Sequence, residues 1–350
     1  MDGQQHVDEH ALPKSISLPE SIVVLSGGVG GAKFARGVRH LRRRDDREAP
    51  VSSEPFTCVV NTGDDMWLNG LRVCPDLDSV MYGLAGVNDL SRGWGRAGES
   101  ERVSAELSAY GVGADWFTLG DLDLATHIAR SQLLRAGRGL ADITRTLASR
   151  WDLGAVLLPA TEHEVETRVR VDEGPGTLHF EEWWVKHRAR VPAREFVRAG
   201  ASAAEPAPGV LAAIEAADLI LIAPSNPIVS IGSILAIPGI RKALRTAAAP
   251  VVGLSPIIGA SHVLGMAAQC LTAVGAEVSA AGVAEHYGAR GAGGLLDGWL
   301  VDSADAASVP RIEAAGLMCR AVPLLMEDDE HSADMAEAAI ALARQVQSQP

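Results

Sequence analysis

The chain has few cysteines, a deficit of positive charge and no uninterrupted apolar run long enough to cross a membrane. Its four cysteines form no C-x-x-C pair, which argues against a zinc knuckle or a disulfide framework and predicts a reducing, cytoplasmic compartment. Lysine and arginine total 31 against 44 acidic residues, a formal charge of −13. General binding of nucleic acid or of an anionic membrane is therefore disfavoured, and an anionic substrate needs local positive charge.

The most apolar stretch, 219–240, is broken by Pro224, Pro227 and Pro238. Because proline interrupts a continuous helix, this stretch predicts a buried strand, a turn and a helix, and no membrane span. The first residues are polar and acidic and lack the apolar segment of a signal peptide, so we expect a flexible tail at 1–20.

Short apolar runs alternate with helical patterns along the 350 residues. This alternation predicts an α/β fold, with a Rossmann-like, mostly parallel sheet covered by helices on both faces. The predicted strands are 22–25, 56–60, 155–158, 219–223, 251–254 and 299–301. The predicted helices are 32–41, one opened by Pro75, 122–135, 140–150 and one at the C-terminus.

A different pattern lies between the two halves of this core. Val165, Thr167, Val169 and Val171 alternate with charged residues, and a glycine-containing break precedes a second run at 178–185. The pattern predicts a β-hairpin in a small β-containing insertion at 159–205. The Rossmann-like core then comprises 21–158 and 206–350.

The first candidate site is a glycine-rich turn after the first predicted strand. It contains Gly27, Gly28, Gly30 and Gly31, and Lys33 follows. Such a turn can aim backbone N–H groups at phosphate, with a helix N-terminus behind them, and Lys33 could add a charge. The turn matches neither the standard P-loop nor the dinucleotide fingerprint, and a turn that binds no ligand is the alternative.

Acidic residues follow the second predicted strand. Asp64 and Asp65 come after Asn61 and Thr62, and one carboxylate could hold Mg²⁺ while the other orients or deprotonates a hydroxyl. The alternative is a solvated turn, which the nearby glycines make less favourable. Asp76 and Asp78 lie in the first turn of a helix, where favourable contact with the helix dipole is sufficient to explain at least one of them.

The turn after the strand at 219–223 is another candidate. Ser225, Asn226 and Pro227 end that strand, and Asn226 can cap a helix whose first residue is Pro227. Arg96 lies in a glycine-rich loop and could reach phosphate, although a solvated loop is the commoner outcome. His127 is more often a packing histidine than a catalytic one.

Together these segments resemble one family, the 2-phospho-L-lactate and phosphoenolpyruvate transferases of coenzyme F420 biosynthesis. The resemblance is carried by 26–33, 61–65, 74–78, 119–128, 225–231 and 255–259. It implies an enzyme that moves the phospho-acid of a guanylylated phospho-acid to the ribityl hydroxyl of the deazaflavin Fo and releases GMP. It also implies Mg²⁺ and a homodimer. The donor could be lactyl, enolpyruvyl or glyceryl.

The resemblance also gives expected roles to individual residues. Asp64 and Asp65 are expected to be catalytic and, with Asp76, to bind Mg²⁺. Nucleotide contacts are expected from Gly27, Gly28, Gly30, Gly31, Lys33, Ser225, Asn226, Pro227 and Ser230. Contacts to Fo or phosphate are expected from Asn61, Thr62, Asp78 and Arg96.

Two other functions are compatible with a glycine turn on such a sheet. A related non-enzymatic class, the nucleotide-sugar-binding regulators of the gluconeogenesis-factor family, typically has Asp-Asp-Gly-Gly-Ser-Ser-Gly after the second strand, whereas here Met66 follows Asp65. An NAD-dependent dehydrogenase needs an acidic residue at a strand end roughly twenty residues beyond the glycines, and the region near Val51 offers none.

Overall fold

The computed structural model describes residues 18–45, 55–172, 174, 176–259, 261–262 and 265–349. Of the predicted tail at 1–20, residues 1–17 lie outside the described residues. The strands are β1 Ile22–Ser26, β2 Phe56–Val60, β3 Met66–Leu68, β4 Leu71–Val73, β5 Ala155–Pro159, β6 Glu166–Val171, β7 Thr177–His179, β8 Ala193–Ala199, β9 Leu219–Ile222, β10 Val251–Leu254, β11 Ile257–Ile258, β12 Ser261–His262, β13 Gly298–Asp302 and β14 Met318–Val322.

Helices connect and cover these strands. They are α1 Gly28–Asp45, α2 Pro75–Ala85, α3 Arg102–Ala109, α4 Asp121–Arg135, α5 Leu140–Ala148, α6 Val210–Glu215, α7 Ile231–Ala236, α8 Ile240–Thr246, α9 Ala267–Ala273, α10 Ala280–Tyr287, α11 Val309–Ala314 and α12 Asp329–Gln347. Among the residues with a described placement, no helix combines the length and apolar character needed to cross a bilayer.

The central sheet is parallel and has seven strands in the order β14-β13-β10-β9-β1-β2-β5. The chain leaves β1 toward β2 on one side and later returns to β9 on the other side. This reversal between β1 and β9 is the position at which open α/β sheets bind ligands, outside the carboxyl ends of the strands.

Alternate residues of the sheet pack into separate cores on its two faces. Val23 and Leu25 of β1 face a core that includes the insertion and α6 to α11. Ile22 and Val24 face a second core with α1, α2, α5 and α12. Because both faces are covered, the strands are apolar throughout, and the predicted α/β class with helices on both faces is confirmed.

All six predicted core strands are present, but the start of the first helix was predicted wrongly and one strand of the sheet was missed. The first helix begins at Gly28 and not at residue 32, because the glycine turn is itself helical. The strand β14 was missed: its Met318–Val322 pattern contains Arg320 and is only partly buried at the edge of the sheet, so it lacks the apolar run that marks the central strands.

The predicted insertion contains a three-stranded antiparallel sheet in the order β7-β6-β8. The prediction of a long second strand at 178–185 is wrong beyond His179. There the chain turns into a short helical segment, Glu182–Lys186, which buries Trp183 and lets its indole donate to the Val191 carbonyl at 2.7 Å. The third strand, β8, was missed because charged residues interrupt its apolar ones and only Phe196 is fully buried.

Candidate functional site

The glycine turn closes against the end of β9. The Ser225 hydroxyl donates to the Gly27 carbonyl at 2.8 Å and accepts from the Gly27 N–H at 3.1 Å. A Cβ atom at Gly27 would lie 2.5 Å from Asp76 Oδ2, and one at Gly30 would lie 2.9 Å from the Pro224 carbonyl. These contacts require glycine, because any side chain would separate the turn from its two neighbours.

A buried asparagine joins two carboxylates beside this turn. Asn61 Nδ2 donates to Asp64 Oδ2 and to Asp76 Oδ2, each at 2.9 Å, and Asn61 Oδ1 accepts from the Gly63 N–H at 2.8 Å. Asp64 is 3% exposed and Asp76 is 7% exposed. Asp64 Oδ1 is buried and has no hydrogen-bond partner among the described residues.

A third carboxyl group, that of Glu181 in the insertion, is buried and close enough to these aspartates for their charges to affect one another. Burial, the charge of Asp76 and then that of Glu181 hold the pKa of Asp64 well above its usual range. Burial raises the pKa of Asp76 to about 6, even though Asn61, the Gly28 N–H and Ser230 donate to it. Burial and then Asp76 raise the pKa of Glu181 to about 8. When all three groups are ionised, their negative charge exceeds what the surroundings neutralise, so the uncharged forms are favoured.

Asp65 follows Asp64 in the chain but belongs to a different network. Its Oδ2 lies 3.4 Å from Arg72 Nη2, and both side chains are almost fully buried. Burial raises the pKa of Asp65 to about 6, and the charge of Arg72 is the largest effect that opposes this rise. The two aspartates predicted as one pair thus have separate partners, Asp64 on Asn61 and Asp65 on Arg72.

Asp78 is part of a buried ionic group with Arg130 and His127. Both of its carboxylate oxygens accept from the Arg130 guanidinium, one of them at 3.0 Å. His127 lies between Asp78 Oδ2 at 3.6 Å and Asp123 Oδ1 at 3.4 Å, and Asp123 also accepts from the Tyr82 hydroxyl at 2.7 Å. The ligand atoms of Asp78, Asp123 and His127 are close enough for a metal ion, but Arg130 already neutralises Asp78.

The turn after β9 is organised by Asn226. Its Oδ1 accepts from the backbone N–H groups of Ile228 and Val229 at 3.0 and 3.2 Å, so this side chain holds a turn, and the prediction that it caps a helix is wrong. The regular helix α7 begins at Ile231, after an intervening turn, and not at Pro227. Ser230 in that turn faces Gly27 and donates to Asp76, so the turn contacts both the glycines and the carboxylates.

Two predicted site residues, Lys33 and Arg96, have partners outside the carboxylate cluster, and a third, Thr62, is buried. Lys33 Nζ donates to the Met326 carbonyl at 3.3 Å. Arg96 is buried, with its guanidinium carbon 5.8 Å from the ring centroid of Tyr82 and 5.4 Å from that of Trp151. Thr62 is also buried, and its carbonyl accepts from the Asp65 N–H at 3.4 Å.

Lys33 borders a shallow cavity between α1, α2 and the loop that contains Trp94. Within the described part of the chain, neither Asp64 nor Asp76 lines this cavity. The carboxylate cluster and the cavity are therefore separate features, although α1 and α2 border both.

Sequence reasoning missed Glu181 and Arg198, both contributed by the insertion. Arg198 of β8 is close enough to Asp64 for that charge to raise the pKa of Arg198, although burial has the larger effect and lowers it. Neither residue lies in a turn at the carboxyl end of a core strand, which was the signal used for the other candidates.

Comparison with known proteins identifies the family. The chain matches the family described as 2-phospho-L-lactate transferase CofD over residues 22–332. It is 54% identical to a phosphoenolpyruvate transferase of Streptomyces coelicolor, with 93% of this chain and 98% of the relative covered. It is 55% identical to a phosphoenolpyruvate transferase of Thermobifida fusca, with 92% of this chain and 97% of the relative covered.

A solved structure of a UPF0052-family protein from Bacillus halodurans has a similar fold. The TM-score is 0.58 at 17% identity, and the match covers 92% of this chain and 99% of the other. At that identity the likeness concerns the fold alone, whereas the sequence relatives extend over nearly the whole chain.

Proposed function

The chain belongs to the 2-phospho-L-lactate transferase CofD family, and from this premise we propose that it transfers the phospho-acid of a guanylylated phospho-acid to the ribityl hydroxyl of Fo. The products are GMP and the F420-0 core or its dehydro form. Enolpyruvyl-2-diphospho-5′-guanosine is the preferred donor in this proposal, because the similar relatives from Streptomyces and Thermobifida are named phosphoenolpyruvate transferases.

The observation that carries the proposal is the junction of Asn61 with Asp64 and Asp76 beside Gly27. It brings two carboxylates to the carboxyl ends of β1 and β2, next to the reversal in strand order where nucleotides bind such sheets. Phosphoryl transfer depends mainly on positioning and on charge neutralisation, so carboxylates able to hold a cation suit this place.

The residues of the junction fit Mg²⁺. Within the described residues, Asp64 Oδ1 is a buried oxygen without a hydrogen-bond partner, and burial together with Asp76 and Glu181 disfavours the charged form of Asp64 when no cation is near. Mg²⁺ prefers oxygen ligands and near-octahedral geometry. Asp64 and Asp76 would hold the ion, which when bound neutralises charge on the diphosphate. Asp65, also expected as a ligand, is less suited because it pairs with Arg72.

The proposed reaction is a direct displacement at phosphorus. The ribityl oxygen of Fo forms a bond to the phosphorus that carries the acid, and the bond from that phosphorus to the bridging oxygen breaks, so that GMP leaves. The hydroxyl proton passes to a carboxylate at this edge of the sheet that is not a ligand of the ion. No covalent enzyme intermediate is required.

The guanosine part of the donor is assigned to the turn after β9 and to the glycine turn. Ser225 fixes the two turns to each other, and Asn226 holds the backbone of the turn that precedes α7. These contacts preorganise the segment that the donor would contact, which lowers the ordering cost of binding.

The test is to incubate the protein with Fo, Mg²⁺ and, separately, the enolpyruvyl, lactyl and glyceryl donors. We expect GMP and a heavier deazaflavin by mass spectrometry, fastest with the enolpyruvyl donor. No product with any donor would contradict the proposal. Tight binding of a nucleotide sugar without turnover would favour a regulator of the gluconeogenesis-factor type instead. The homodimer implied by the family is part of the proposal and is measured by light scattering.

A further inference from the structure

Arg198 packs against the turn that we assign to the nucleotide. It lies on β8 of the insertion, and its Nη2 donates to the Ile228 carbonyl at 2.6 Å. A Cβ atom at Gly232 would lie only 2.8 Å from the same nitrogen. The guanidinium is therefore fixed at the rim of the turn between Asn226 and α7, although it comes from a distant part of the chain.

This guanidinium is not satisfied by the protein. Its Nε is buried and has no hydrogen-bond partner within the part of the chain that the structure describes. Burial lowers the pKa of Arg198, and the charge of Asp64 opposes this effect. A partly buried guanidinium that has donors to spare and no paired carboxylate at hydrogen-bond distance can accept an anionic ligand.

Two further basic side chains, Arg241 and His286, take part in charge effects with Arg198. Burial, Arg241 of α8 and then Arg198 lower the pKa of His286 on α10, and Arg241 in turn lowers the pKa of Arg198. Among the described residues, no carboxylate forms an ion pair with any of these three side chains. The lowered pKa of His286 favours its neutral form, so the positive charge here comes from Arg198 and Arg241. In a chain with a formal charge of −13, these two guanidinium groups create a local positive potential that would attract an anion.

We propose that Arg198 binds the diphosphate of the guanylylated donor. This inference rests on the proposed function and assigns to the insertion a direct part in substrate binding. With the guanosine on the turn after β9 and the metal at Asp64 and Asp76, the diphosphate has to lie between them. Arg198 contacts that turn through the Ile228 carbonyl, and the charge of Asp64 affects the pKa of Arg198. A planar guanidinium matches phosphate oxygens through paired hydrogen bonds.

The proposal also explains how the site is neutralised without Lys33. The ammonium group of Lys33, the lysine of the glycine turn, bonds to the Met326 carbonyl. Arg198 supplies positive charge from the opposite side of the sheet edge, through the insertion. Donor binding would then depend on the insertion being folded onto the core.

The test compares Arg198→Ala and Arg198→Lys with Arg194→Ala. Arg194 lies on the same strand, is exposed and pairs with Asp172, so its replacement controls for damage to β8. We expect Arg198→Ala to weaken binding of GDP in Mg²⁺ by about 10-fold to 100-fold in calorimetry, as loss of a charged hydrogen-bonding group does. Arg198→Lys keeps part of the affinity, and Arg194→Ala keeps all of it.

Guanosine, which has no phosphate, provides the second readout by ligand-observed NMR, and its binding should not change in Arg198→Ala. Equal losses for GDP and guanosine, or GDP affinity within about twofold of the parent in a folded Arg198→Ala, would overturn the proposal. A raised KM for the donor with unchanged GDP affinity would indicate that Arg198 binds the carboxylate of the phospho-acid part of the donor. That result would also overturn the proposal.

A variant that does not fold and a parent protein that is inactive are two separate outcomes. If Arg198→Ala does not fold, Arg198→Lys decides the matter, because it retains charge and length but lacks the paired donors. If the parent protein neither binds GDP nor turns over any donor, the proposed function itself fails, and that result is distinct from an unaltered Arg198 variant of an active parent.

Discussion

Asp64 and Asp76 accept hydrogen bonds from one and the same amide nitrogen, that of Asn61, at 2.9 Å each. One aspartate follows β2 and the other lies in the first turn of α2, so the β3–β4 hairpin between them brings the chain back to its starting point. A neutral amide can orient two carboxylates but cannot neutralise them. The repulsion between the two negative charges is therefore removed either by protonation or by a bound cation.

The first prediction concerns Asp64→Asn and Asp76→Asn. Each change keeps the shape of the side chain but removes a charge that would hold Mg²⁺, so we expect kcat/KM to fall by about 100-fold or more. Steady-state turnover and a Mg²⁺ titration measure the effect. Asp152→Asn, at an exposed position that pairs with Arg43, is the matched control and should behave as the parent. Undiminished turnover in both cluster variants would remove the cluster from the mechanism.

The second prediction follows from the pKa of Glu181, which is raised from 4.5 to about 8. The folded state keeps a proton that the unfolded state releases, so this group lowers the free energy of unfolding as pH rises through the window between those values. Without Mg²⁺, we expect the parent to lose more stability between about pH 5 and pH 8 than Glu181→Gln does. Urea unfolding at several pH values measures this, and equal losses would contradict it.

Addition of Mg²⁺ gives the complementary result. A ligand that prefers the deprotonated cluster stabilises the folded protein more at the upper end of the pH window than at its lower end. We expect the Mg²⁺-induced rise in melting temperature to be larger near pH 8 than near pH 5. A rise that is independent of pH would indicate that the ion binds away from Asp64, Asp76 and Glu181.

Much of the fold and part of the site could be predicted from the sequence because parallel strands end at one edge of the sheet. β1, β2 and β9 were each recognisable as apolar runs, and the polar residues that follow them had to meet at that edge. The sequence alone therefore predicts that Gly27, Asn61 and Ser225 lie close together. This prediction required only that the apolar runs be recognised as strands and that the sheet be parallel.

The orientation of individual side chains could not be predicted in the same way. Asp64 and Asp65 are neighbours in sequence, yet one bonds to Asn61 and the other faces Arg72, because consecutive residues of the turn project in different directions. Glu181 directly precedes the short helical segment Glu182–Lys186, and only the folded structure brings it close enough for the charge of Asp76 to raise its pKa. These placements depend on packing between the insertion and the core, which no local pattern encodes.

The third prediction tests the close approach at the glycine turn. Gly27→Ala would place a methyl group 2.5 Å from Asp76 Oδ2 and 2.8 Å from the Ser230 Cβ atom, so we expect the turn to move and turnover to be lost. Gly291→Ala is the matched control, because open space surrounds that position and its backbone is not left-handed. Full activity of Gly27→Ala, measured with the product assay, would show that the turn and Asp76 need not be in contact.

The fourth prediction separates a structural from a catalytic role for Asp65. Because its partner Arg72 is buried, Asp65→Ala leaves an uncompensated charge, and we expect a loss of about 3–5 kcal/mol in the free energy of unfolding. Asp65→Ala with Arg72→Ala should cost less than the sum of the single changes. The exposed pair Arg43 and Asp152 is the control, with an expected coupling of about 0–1 kcal/mol. If Asp65→Ala keeps the stability of the parent but loses turnover, Asp65 acts on the reacting groups and the separation from Asp64 is wrong.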